Sequence, residues 1–84
     1  MKSKPRKIIF CGYRSWAIDV FHEIKKNHTS CDFYLAENMK ALSDLLYIPE
    51  VDLVILAGWS WILKKSVVSN NLVIGLHPSN LPDY

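Results

Sequence analysis

The sequence predicts a doubly wound parallel α/β sheet, and three observations predict it. Half of the 84 residues are hydrophobic and only 21% are charged, a balance that suits a buried sheet and neither a disordered chain nor a coiled coil. Four short apolar runs alternate with three segments of helical periodicity, giving the order βαβαβαβ. Strands separated by single helices run parallel through right-handed crossovers, because a tight hairpin cannot return the chain in the same direction.

The elements follow in order. Lys7-Ile8-Ile9-Phe10-Cys11-Gly12 is an apolar run closed by glycine, as expected of a central strand buried on both faces. Ser15 is placed to cap the next helix, in which Trp16, Ala17, Val20, Phe21 and Ile24 form one apolar face. Lys25, Lys26 and His28 suit its negative carboxyl end. Cys31 to Ala36 reads as the second strand. Asn38 caps a helix carrying Met39, Leu42, Leu45 and Leu46 on one side until Pro49 stops it. Asp52 to Ala57 is the clearest strand, with Leu53, Val54, Ile55 and Leu56 expected to be buried on both faces. Ser60 caps a short helix from Trp61 to Val68, and Asn70-Asn71 turns the chain into a fourth strand, Leu72 to His77. Ligands of such sheets bind beyond the carboxyl ends of the strands. That rule gathers Gly12-Tyr13-Arg14, Gly58-Trp59-Ser60 and His77-Pro78-Ser79-Asn80 along one rim.

Charge and composition narrow the function classes. The net charge of +2 is concentrated in Lys2, Lys4, Arg6 and Lys7, which read as a solvated terminus. A phosphate-binding arm would need aromatic or Arg-rich companions, so no nucleic-acid partner is expected. Apolar runs such as Leu53 to Ala57 fall far short of the ~20 residues that span a bilayer, and no signal-peptide pattern precedes them. No membrane partner is therefore expected. Cys11 lies late in one strand and Cys31 early in the next, an offset of roughly 13 Å where a disulfide allows about 7 Å. Both read as buried thiols of a reducing, cytoplasmic protein.

Among candidate site residues, Gly12 lacks the two further glycines of the G-x-G-x-x-G dinucleotide fingerprint. Gly12 and Gly58 are either turn residues or points where a ligand approaches the backbone closely. His22 and His28, six positions apart, do not share a helix face as metal ligands would, and read as surface histidines. No metal site is expected. Trp16 belongs to the apolar helix face. Trp59 and Trp61 either wall a flat heterocycle or pack under the rim. His77 closes an apolar strand and opens a loop bracketed by Pro78 and Pro82, a setting that suits proton transfer or oxyanion stabilisation near neutral pH.

The segment Leu76-His77-Pro78-Ser79-Asn80-Leu81-Pro82-Asp83-Tyr84 resembles the H-x-S-x-L-P element of the folate-dependent formyltransferases, which formylate methionyl-tRNA, glycinamide ribonucleotide or amino sugars. Ile8-Ile9-Phe10-Cys11-Gly12 resembles that family's opening strand, and Ala57-Gly58-Trp59-Ser60-Trp61-Ile62-Leu63 its third strand and following turn. The resemblance covers the whole chain and implies the N-terminal portion of a Rossmann-like formyltransferase fold, with four strands and three helices. It implies 10-formyltetrahydrofolate as formyl donor and His77 as the catalytic group. Gly58, Trp59, Ser60, Ile62 and Leu63 would line the folate pocket. Gly12, Tyr13, Ser79 and Asn80 would meet a small-molecule substrate, with Ser79 organising its loop. The pairing of Gly-Trp-Ser-Trp with His-Pro-Ser-Asn-Leu-Pro is closer to the sugar enzymes than to the tRNA enzyme, so the implied acceptor is a nucleotide-linked amino sugar.

Two departures from the family pattern carry expectations of their own. Gly75 stands where the family has an asparagine that donates to the oxyanion, a loss that typically costs ~10²–10³ in rate. The family's catalytic aspartate would fall beyond Tyr84, so these 84 residues are expected to be inactive alone. A methionyl-tRNA formyltransferase-like enzyme, or an inactive half-domain serving as an interaction module, are the competing readings. The fourth strand, with no helix after it, is expected to expose apolar side chains and an unpaired edge, a route to homo-oligomers.

Overall fold

The computed structural model describes residues 4–59 and 65–76. Its elements run β1 (Lys7–Cys11), α1 (Ser15–Asn27), β2 (Asp32–Ala36), α2 (Met39–Leu45), β3 (Leu53–Ala57), α3 (Lys65–Asn70) and β4 (Val73–Leu76). The four strands form one sheet in the order β2-β1-β3-β4 with every pairing parallel. This is a Rossmann-like α/β architecture, as the alternation of apolar runs and helical segments predicts.

Strand alternation divides the core into two layers. Ile9, Cys11, Ala36, Leu42 and Val54 fill one face, with Met39, Leu45 and Leu46 of the α2 segment packed against them. Phe10, Ala17, Phe21, Ile55 and Ala57 fill the other, under α1. Phe21 meets Phe10 at 5.5 Å and Phe33 edge-on at 6.3 Å, so aromatic contacts join α1 to two adjacent strands.

Several boundaries differ from those expected, each for a local reason. Ser15 is the first residue of α1 and not its cap. The extended residue before the helix is Arg14, whose carbonyl accepts from both Ala17 and Ile18 and whose side chain makes no cap bond. Asn38 does cap α2, its side chain accepting from the Ala41 N–H at 2.8 Å. That helix ends at Leu45, ahead of Pro49, because Tyr47 and Ile48 donate to carbonyls three residues back and tighten the last turn. The third helix runs on to Asn70, so Asn70 is helical and Asn71 makes the turn, donating its side-chain amide to the Val67 carbonyl at 2.9 Å. The expected helix start at Ser60 and Trp61 lies outside the described residues.

Burial of β3 is less complete than the apolar run suggests. Val54 and Ile55 are buried, but Leu53 and Leu56 are half-buried. Leu56 lies in register with Gly75, which has no side chain to cover it, and Leu53 opens the strand. Cys11 is buried and Cys31 only half-buried. Both are free thiols, and the register Cys11↔Ala36 sets them at opposite ends of paired strands.

The amino ends of the strands are tied by polar contacts. Lys7 N–H donates to the Asp52 carboxylate at 2.8 Å, Lys7 Nζ to the Pro49 carbonyl at 2.9 Å, and Lys4 pairs with Glu50 at 3.1 Å. A cleft of about 310 Å³ beside them is lined by Lys4, Pro5, Arg6, Lys7, Glu50 and Asp52. Of its charged side chains only Lys4 and Glu50 pair with each other, while Asp52 and Lys7 meet backbone groups, and residues 4–6 stay exposed, as a solvated terminus should.

Candidate functional site

The strand order reverses direction between β1 and β3. The first crossover leads from β1 to β2 on one side, and the later strands extend on the other. A crevice at such a switch point, outside the carboxyl ends of the strands, is where open α/β sheets bind ligands. Here its two lips are Gly12-Tyr13-Arg14 after β1 and Gly58-Trp59 after β3.

Both glycines are required by close approach. Gly12 is buried, its N–H donates to the Ala36 carbonyl at 2.9 Å, and a Cβ would lie 2.7 Å from Ala17 Cβ and 3.3 Å from the Ala57 oxygen. The first turn of α1 therefore sits directly on the strand ends. Gly58 has φ +61°, a left-handed conformation that other residues adopt only with strain, and a Cβ there would come within 2.7 Å of Trp16 Cζ2. The Gly58 N–H donates to the Leu76 carbonyl at 3.2 Å, fastening the end of β3 to the end of β4.

Aromatic groups join the two lips. The Tyr13 and Trp59 rings, one from each lip, lie 6.2 Å apart and tilted by 60°, within the range of favourable ring pairs. Arg14 places its guanidinium 5.3 Å from the Tyr13 ring centre, a cation–π contact that leaves the charged group exposed at the mouth. Trp59 also packs on the core layer that holds Ile9 and Val54. Trp59 thus packs under the rim as well as against Tyr13 across it.

Of the sequence-predicted site residues, the structure brings Gly12, Tyr13, Gly58 and Trp59 together at this rim. Ser60, Ile62, Leu63, His77, Ser79 and Asn80 lie outside the described residues, as does Trp61. The sequence pattern places Trp16 on the apolar helix face, where it does pack on the layer of Phe10 and Phe21, and sets Arg14 on the rim without a role. Trp16 is half-buried with its indole edge against Gly58, and Arg14 is the exposed cation of the rim. The contact of Trp16 with Gly58 joins segments far apart in the chain, so no local signal announces it.

Other reactive groups lie elsewhere. Burial pushes the Cys11 thiol up to about 12 from its ordinary value of 9.0, so it stays protonated and unreactive. His22 and His28 are both exposed, and among the described residues no three His, Cys, Asp or Glu side chains gather to hold a metal ion. No helix among those residues is long and apolar enough to cross a membrane. Comparison with known proteins returns no matching family model, curated protein or solved structure.

Proposed function

We propose that this chain carries the donor-binding rim of an N-formyltransferase, which moves a formyl group from 10-formyltetrahydrofolate to the amine of a nucleotide-linked amino sugar. The observation that carries the reading is the bond from Gly58 N–H to the Leu76 carbonyl. It joins the glycine-tryptophan turn to the strand that leads directly into His77, so the two segments with the family resemblance leave neighbouring strand ends. Trp59, on the folate side of the resemblance, supplies flat apolar surface of the kind a reduced pterin ring stacks on, and Tyr13, on its substrate side, packs against Trp59 and extends that surface.

In this reading the acceptor amine attacks the formyl carbon and its electron pair forms the new C–N bond. The carbonyl electrons move onto oxygen and return as the bond to the folate N10 breaks. The amine gives up one proton and N10 gains one. His77 relays that proton or steadies the oxyanion, and Gly75 supplies no side-chain donor. The interaction-module reading rests on that same glycine, which has no side chain to offer the oxyanion.

Mass spectrometry of acceptor incubated with 10-formyltetrahydrofolate separates the two. The 84-residue chain should yield no formamide, and a form that also carries the carboxylate should yield one whose rate falls ~10²–10⁴-fold in His77→Ala. An undiminished rate in His77→Ala would remove the histidine from the mechanism. Failure of every form to transfer would favour the interaction module.

A further inference from the structure

We propose that β4 pairs antiparallel with β4 of a second copy of this chain, joining two four-stranded sheets about a two-fold axis through Ile74. β4 is the outermost strand, and among the described residues none pairs with its free edge. The carbonyls of Leu72 and Leu76 accept from Val54 and Gly58. By strand alternation, residues 72, 74 and 76 therefore turn their backbone groups toward β3, while Val73 and Gly75 present N–H and C=O outward. Those outward groups are left to water or to another extended strand, for which they form a template.

The strand is complementary to a second copy of itself. A two-fold through Ile74 sets Val73 opposite Gly75 of the second copy as hydrogen-bonded pairs, and Ile74 opposite its own counterpart as the closer, non-hydrogen-bonded pair. Gly75 has only the Leu56 oxygen within 4.0 Å of a built Cβ, leaving open space beside the facing Val73. On the opposite face Leu72 meets Leu76, and Ile74 meets Ile74. Leu72 is 65% exposed and Ile74 42% exposed in the single chain, so the pairing covers apolar surface that water otherwise meets. Residues 72 to 76 carry no charge and no proline, the usual guards of a free edge. The other edge, β2, begins at the charged Asp32, and its apolar residues are already packed into both core layers.

Sedimentation at micromolar concentration tests the pairing. The chain of 9.7 kDa is expected to sediment at twice that mass. Ile74→Lys and Ile74→Glu each set like charges against one another on the axis, and each alone should be monomeric, its self-association weaker by roughly tenfold or more. Mixing the two should restore the dimer. A monomeric parent chain, a dimeric Ile74→Lys, or a mixture that stays monomeric would each overturn the proposal. If the Ile74 variants lose their helical circular dichroism, Gly75→Pro decides. It removes an outward N–H without touching the bonds to β3, so a monomer supports the pairing and a dimer refutes it.

Discussion

The indole of Trp16 occupies the space that a side chain on Gly58 would need, with Cζ2 only 2.7 Å from the position of a Cβ. A residue in the first turn of α1 thus dictates what can follow β3, and the two lips of the rim are fitted to each other. Gly58→Ala should cost about 2–3 kcal/mol, combining left-handed strain with overpacking. Urea denaturation checks this, and a Trp16→Leu background should recover about 1 kcal/mol of the loss by removing the overlap. Equal losses in both backgrounds would mean that the indole swings aside freely.

The other two glycines should respond in opposite senses. Gly12→Ala drives a Cβ against Ala17 Cβ and the Ala57 oxygen, neither of which can rotate away, and should cost about 1–3 kcal/mol. Gly75→Ala enters open space at a position that needs no positive φ. It should be stabilising by about 0.5–1 kcal/mol through lower unfolded-state entropy. Midpoints of chemical denaturation rank the two directly.

Much of the fold was legible because its signals are local. Lys7–Cys11 and Leu53–Ala57 are apolar runs that only a two-sided core would bury, and Asn38 announces its cap three residues ahead of the N–H it receives. Contacts between distant segments were not legible. The pattern puts Tyr13 and Trp59 on one rim, but that their rings touch, and that Lys7 meets Asp52, emerges only when the parallel register sets β1 beside β3. The half-exposure of Leu56 was likewise hidden, since it follows from Gly75 on the neighbouring strand. The rim glycines were legible as turn residues, while the reason each must be glycine lies in the packing of α1.

The cysteines make a prediction about pH and reactivity. A thiol reagent at pH 8 should modify Cys31 but not Cys11 in the folded protein, and both in urea. The folded pKa of Cys11 is raised to about 12 from 9.0, so above pH 9 the unfolded chain releases a proton that the folded chain retains. Stability is therefore unaffected below about pH 9 and is lost progressively toward pH 12. Cys11→Ala should flatten that decline, and an identical alkaline profile would assign it to other groups.

The proposed function requires the lips after β1 and β3 to hold a reduced folate against Trp59 and the adjoining Tyr13. Calorimetric titration of the chain with 5-formyltetrahydrofolate, which retains the pterin but holds its formyl group on a different nitrogen, tests it without requiring turnover. The account predicts one saturable site per chain, weakened in Trp59→Ala and Tyr13→Ala by roughly tenfold each, as expected when one stacking face is lost. No measurable binding, or binding that neither substitution alters, would contradict it.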